Sequence, residues 1–141
     1  FAPKGHGTNI PEALHFFNNV TRRHSVAFIV SDFMAEEYES ALRIANKRHD
    51  VIAVTVTDPR EETLPDVGLL NVRDAESGRE TLVNTSDSKM RSLYELKGRK
   101  RVEERGMIFR RTRVDAIDLR TDTPYIDEIR RFFKMRERRH G

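Results

Sequence analysis

Two unbroken apolar runs constrain this chain more than anything else in it. Ser25-Val26-Ala27-Phe28-Ile29-Val30 and Val51-Ile52-Ala53-Val54-Thr55-Val56 are short and rich in β-branched residues, which is the signature of strands. A strand wet on one face alternates apolar with polar residues. These runs do not alternate, so both are predicted to be covered on both faces, as in a parallel sheet. Between them Met34–Arg48 reads as an amphipathic helix, with Met34, Tyr38, Leu42 and Ala45 on one side and Glu36, Glu37, Glu39, Arg43 and Lys47 on the other. Strand, helix and strand within about 30 residues make a βαβ unit, whose strands run parallel with a right-handed crossover.

The flanking segments extend this pattern. Asn9, Pro11 and Glu12 form a helix start, with a cap, a proline in the first turn and an acid three after the cap. Leu14, Phe17 and Val20, with Ala13 and Phe16 beside them, give that helix its apolar stripe, and Arg22-Arg23-His24 ends it. Leu69–Arg73 and Glu80–Val83 flank Asp74-Ala75-Glu76-Ser77-Gly78 and read as a β-hairpin inserted over residues 69–83. A polar helix is expected from near Asp87 to about Arg111, kinked or split at Gly98 and Gly106. Val114–Leu119 is a third candidate parallel strand. Thr123-Pro124 opens a last helix with Ile126, Ile129, Phe132 and Phe133 facing in, and the basic tail beyond Lys134 is expected to fray.

Composition narrows the class. The 141 residues suit one compact α/β domain, and no apolar run reaches the roughly 20 residues of a membrane-spanning helix. The absence of cysteine excludes disulfides and thiolate-bound zinc, and it fits a reducing, cytoplasmic setting. The chain opens at Phe1 without an initiator methionine, so it is expected to be a portion of a longer protein. Residues 1–88 carry 9 Lys+Arg against 14 Asp+Glu, and residues 89–141 carry 17 against 9. Such a basic C-terminal third can meet nucleic acid, an acidic membrane surface or an acidic protein, or it can simply keep helix faces soluble.

Ligands of open α/β sheets gather at the carboxyl ends of the strands. Asp32 and Asp58 each follow one of the two runs, so both are expected to rise to one rim, where paired acids suit a hard cation such as Mg²⁺. Two structural roles compete: Asp32 can cap the following helix, and Asp58 can start an Asp-Pro turn.

Several segments together resemble one bacterial family. They are Gly7-Thr8-Asn9-Ile10 with Ala13-Leu14, Phe28-Ile29-Val30-Ser31-Asp32-Phe33, His49-Asp50-Val51-Ile52-Ala53-Val54 and Asp58-Pro59-Arg60-Glu61. Leu64-Pro65-Asp66-Val67-Gly68-Leu69, Arg73-Asp74-Ala75-Glu76-Ser77-Gly78 and Phe132-Phe133 complete the set. This ordered set is similar to domain of unknown function 58, a divergent branch of the von Willebrand factor A-like fold. The resemblance implies a partial doubly wound, Rossmann-like parallel sheet with helices on both faces, residues 1–141 being the C-terminal part of such a domain. It implies that Thr8 and Asp32 stand where two ligands of a metal-ion-dependent adhesion site lie. The Asp-x-Ser-x-Ser segment of that site does not occur in this chain, so tight Mg²⁺ binding is not expected here, whatever a longer parent does. With the central strand also upstream, strand 25–31 is expected to be a hydrophobic edge that pairs chains into a homo-oligomer. Ser31, Asp58, Arg60 and Glu61 form the expected partner-binding rim. The family implies a protein-binding or scaffolding module working with MoxR-type AAA+ ATPases, in a parent that can be membrane-anchored upstream.

Two rival functions are carried beside it. A metal-dependent phosphatase or hydrolase would use Asp32 and Asp58, although no Gly-rich phosphate loop, His-Glu-x-x-His or evident Ser-His-Asp set occurs. His6, His15, His24, His49 and His140 lack metal-ligand spacing and are read as surface or capping residues, and the chain is therefore not read as an enzyme. Nucleic-acid binding would use Lys97-Gly98-Arg99-Lys100-Arg101 and Arg136-Glu137-Arg138-Arg139, where aromatics for base stacking are sparse.

Overall fold

The computed structural model describes residues 9–34, 37–73 and 78–140, without the side chains of Glu61 and His140. The described chain divides into two compact units, one of residues 9–59 with 103–140 and one of residues 60–102.

The first unit is built on a parallel sheet. Helix α1 (Ile10–Val20) starts as its sequence dictates: Asn9 Oδ1 accepts the Glu12 N–H at 2.9 Å, and Pro11 sits in the first turn. Strand β1 (Val26–Ser31), helix α2 (Glu39–Arg48) and strand β2 (Asp50–Thr57) form the expected βαβ unit. Strand β5 (Asp115–Arg120) joins on the far side of β2, parallel to it, giving the order β1-β2-β5. Helix α5 (Tyr125–His140) closes the chain.

Register decides what each face buries. Ile29, Val51, Ala53 and Ala116 lie on one face beneath Ile10 and Leu14 of α1, Ala41, Leu42 and Ala45 of α2, and Phe109. Ile52, Val54, Ile117 and Leu119 lie on the other face, against Phe132 of α5. Helices therefore cover both faces of β2, and Val51–Thr55 are buried on both sides as expected, whereas Val56 at the end of the run is exposed.

The same expectation fails for β1. Its burial alternates, and Val26, Phe28 and Val30 are 57%, 50% and 66% exposed. The α5 face of the sheet is covered at β2 and β5 but not over β1, so an apolar run there does not mean a buried strand. Four further expectations are corrected. Helix α2 begins at Glu39 rather than Met34, because Phe33 and Glu37 hold positive φ (55° and 63°), which no helix tolerates. On α1, Phe16 and Val20 are exposed, while Ile10, Leu14 and Asn18 are buried. On α5, Phe132 is buried, but Ile126 and Phe133 are exposed. Finally, α5 stays helical well beyond Lys134, pinned by Arg136, whose guanidinium makes two bonds to the Asp50 carboxylate (2.7 and 2.8 Å).

The second unit holds the hairpin. Strands β3 (Leu69–Arg73) and β4 (Glu80–Asn84) pair antiparallel; most of the expected turn, residues 74–77, lies outside the described residues. Thr85, fully buried, closes the open end: its hydroxyl and its N–H both donate to Gly68 O at 2.7 Å. Gly68 sits at φ +84°, a conformation glycine adopts without steric cost. The short helix α3 (Pro59–Glu62) precedes the hairpin, and helix α4 (Ser88–Thr112) follows it. Gly98 and Gly106 do not split α4, which runs as one helix of 25 residues. No helix among the described residues is long and apolar enough to cross a membrane.

Candidate functional site at the carboxyl edge of the sheet

The three parallel strands carry one polar row near their carboxyl ends. Ser31 of β1 is in register with Thr55 of β2, and Thr55 with Asp118 of β5. Thr55 is fully buried, and its hydroxyl donates to the Asp118 carboxylate, with Ile117 O at 3.4 Å as a further acceptor. A buried hydroxyl needs such partners, so Thr55 fixes the Asp118 side chain against the sheet.

Ser31 and Asp32 build the loop that leaves β1. Ser31 Oγ accepts the Phe33 N–H at 3.1 Å, and Asp32 Oδ1 accepts the Met34 N–H at 3.1 Å. The second bond is an Asx-turn, so the capping alternative for Asp32 takes a modified form: it caps a turn, and α2 starts seven residues later with no side-chain cap. Phe33 is the structural centre of this loop. Its φ of 55° is costly for a bulky residue, roughly 1–2 kcal/mol. Burial between Phe109 (ring centroids 5.0 Å apart) and Tyr38 (5.4 Å) offsets that cost. Asp32 itself is exposed, so an acidic group is presented on a loop locked by aromatic packing.

Arg105 of α4 crosses this edge. Its Nη1 donates to Asp32 O at 3.2 Å, its Nη2 lies 3.6 Å from Asp118 Oδ1, and its side chain is only 14% exposed. Burial pushes the Tyr38 phenol up from its usual range, opposed in part by the Arg105 charge. Glu39 in the first turn of α2 accepts from Arg111 at 2.7 and 3.2 Å, which holds its carboxyl below the usual carboxylate range; Arg43 adds to the effect. Thr55, Arg105, Arg111 and Asp118 were not singled out from the sequence. Arg105 had one visible signal: it stands one helical turn before the buried Phe109, on the stripe of α4 that faces the core.

The remaining expected site residues are less closely drawn together. Asp58 follows β2 at the same edge, but Ser31 is level with Thr55, so Asp58 stands two residues, about 6.6 Å, beyond the level of Asp32. It is half-buried and immediately precedes α3, in keeping with the Asp-Pro turn reading. Arg60 is exposed and belongs to the hairpin unit; the side chain of Glu61 and all of Thr8 lie outside the described residues. His24 and His49 precede β1 and β2, at the end opposite the carboxylates. Among the described residues no three His, Cys, Asp or Glu side chains are grouped to hold a metal ion, and Arg105 binds the main-chain oxygen of Asp32 while lying 3.6 Å from the Asp118 carboxylate.

The fold and this edge define a parallel α/β domain that presents polar groups at the carboxyl ends of its strands. The chain belongs to the family described as protein of unknown function DUF58, whose model matches residues 1–104. It is 32% identical over 138 residues to the uncharacterized protein MAV169 of Mycobacterium avium, covering 97% of this chain and 81% of that protein. It is 34% identical over 143 residues to the uncharacterized protein Rv1480 of Mycobacterium tuberculosis, and equally to Mb1516 of Mycobacterium bovis. In both cases the alignment covers 97% of this chain but 43% of the relative, so the chain spans less than half the length of those two proteins. No solved structure matches.

Proposed function

We propose that this chain is a protein-docking module of von Willebrand factor A-like type, with the carboxyl edge of its sheet as the contact surface. One observation carries the reading: an exposed carboxylate, Asp32, stands on a loop locked by the buried Phe33 and braced by Arg105. A preformed acidic knob of this kind loses little entropy on binding and suits a partner that brings a cation or an N–H donor. Ser31 and Asp32 form the centre of the contact, with Asp58 as its rim. The partner proposed is a MoxR-type AAA+ ATPase, which sets this portion in the cytoplasm, and the hairpin of residues 69–83 is an insertion in the domain. Mg²⁺ at Thr8 and Asp32 belongs, in this reading, to a longer parent that supplies further ligands.

Neither rival gains support of its own. A phosphatase centre asks Asp32 and Asp58 to share a metal, yet Asp58 is offset along the sheet by two residues. Nucleic-acid binding asks for free cations, yet within the two basic segments it would use, Arg99, Arg136 and Arg139 are engaged with carboxylates.

The test is direct binding of the 141-residue chain to a purified MoxR-type ATPase by interferometry, with and without Mg²⁺. Asp32→Ala is expected to weaken binding about tenfold or more, the scale of one charge-assisted contact. An affinity indifferent to Asp32→Ala overturns the assignment of the contact surface.

A further inference from the structure

The first half of α4 makes its contacts on one side and shows a face of apolar and basic residues on the other. At about 100° per residue, Arg91, Tyr94, Glu95 and Gly98 share the side that packs within the hairpin unit, and all four are partly buried. Arg91 donates to Thr85 O and lies 3.4 Å from the Asp66 carboxylate. A Cβ on Gly98 would stand 3.8 Å from the Glu62 main chain, so α3 packs on this side too. The opposite side presents Met90, Leu93 and Leu96 interleaved with Lys89, Lys97, Lys100 and Arg101, within an arc of about 140°. All seven are exposed, Leu96 to 63%. No acid stands in that arc between residues 88 and 102. Glu95 lies outside it, 3.5 Å from Arg99, and Glu103 and Glu104 end the face.

We propose that this face of α4 lies on an anionic membrane surface, with Met90, Leu93 and Leu96 in the headgroup boundary and the lysines on lipid phosphates. Charge selects the class of partner: a face with four cations and no acid over about 18 Å of helix calls for an anionic counterpart. The interleaving selects the lipid. In a protein interface the apolar centre is depleted of lysine, and charge is kept to a rim. Here Lys97 and Lys100 stand between the apolar residues around the helix. A bilayer surface takes both at once, because lysine stems lie along the apolar layer while their ammonium groups reach the headgroups. Nucleic acid offers phosphates but nothing for three aliphatic side chains, and this face has no aromatic ring to stack on a base. The surface belongs to the hairpin unit rather than to the sheet edge, so its failure leaves the docking reading standing.

Flotation of the 141-residue chain with phosphatidylcholine vesicles holding about 30% phosphatidylglycerol tests it, beside vesicles of phosphatidylcholine alone. The chain is expected to float with the anionic vesicles and not with the neutral ones. Lys89→Gln with Lys97→Gln is expected to weaken binding about twentyfold, or roughly fivefold per charge. Leu93→Ser with Leu96→Ser is expected to weaken it about tenfold or more at unchanged charge. All four positions are exposed, so the fold survives, which circular dichroism checks. Arg130→Gln with Lys134→Gln removes the same charge from exposed positions on α5 and should leave binding within about twofold. No flotation, equal binding to both vesicles, an equal loss in the α5 variant or indifference to the leucine pair overturns the proposal. Duplex DNA or the ATPase bound through these residues, with no flotation, assigns the face to that partner and likewise overturns it.

Discussion

His49 is the residue at which burial and chemistry are most at odds. It ends α2 through its backbone N–H, which donates to Ala45 O at 2.9 Å. Its ring is 2% exposed and lies 4.6 Å from that of Phe17, and neither ring nitrogen has a hydrogen-bond partner. Burial depresses its pKa below the usual 6.5, and the Arg48 and His24 charges lower it further. The folded state therefore resists a proton that the unfolded chain accepts near its ordinary value. Stability is full above about pH 6.5 and is lost as the pH falls from there through the lower folded value. Urea midpoints are expected to be flat from pH 8 to 7 and to decline between about pH 6.5 and 5.5. His49→Phe keeps a ring against Phe17 and removes both nitrogens, so its midpoint should be level across that window; an equal decline in both proteins would assign the effect elsewhere. The sequence located His49 correctly, at the start of β2 and in a capping position. Its burial was not legible, because it depends on Phe17, brought in from another helix.

At the scale of elements, α5 is held by its C-terminal half as much as by its apolar face. Arg136, 16% exposed, bonds Asp50 at the start of β2, reaches Asp115 of β5 at 3.4 Å and lies 5.6 Å over the Phe132 ring. Without the guanidinium, two carboxylates on adjacent strands lose their shared counter-charge. Arg136→Ala is expected to cost about 2 kcal/mol in urea unfolding. Arg136→Lys should recover only part, since an ammonium cannot match the fork geometry; full recovery would reduce the contact to simple charge. The basic tail looked like a fraying end because its partners, Asp50 and Asp115, stand far away in the sequence. β1 illustrates the same limit. Its apolar run announced a strand and its direction, but whether both faces are covered depends on where α5 lies. The Asx-turn after β1 was partly visible in Ser31-Asp32; the positive φ of Phe33 was not, because only the packing of Tyr38 and Phe109 makes it tolerable.

Over the whole molecule, the legible part is the one that local periodicity controls: the βαβ unit, the third parallel strand, the hairpin and the capped first helix. The order β1-β2-β5 and the Arg105 bridge come from contacts between distant segments, which no local pattern encodes. The two units also differ in what protects their backbones. In the sheet, Val51–Thr55 are buried on both faces and hydrogen-bonded on both sides, so their amides open only when the sheet opens. The β3-β4 hairpin is a two-stranded ribbon whose residues are mostly exposed, and such ribbons are marginal in water. Its main anchor is Thr85, which ties Val67 and Gly68 to the segment after β4. Native-state hydrogen exchange should therefore find the amides of residues 52–55 slower than those of residues 70–72 and 81–83 by about a hundredfold or more. Thr85→Val removes the hydroxyl while keeping the side-chain volume. It is expected to speed exchange in the hairpin further while leaving residues 52–55 unchanged, because the lost bonds lie within the hairpin unit. If the substitution accelerated both sets equally, the chain would open as one cooperative block, and the hairpin would owe its order to the sheet rather than to its own closure.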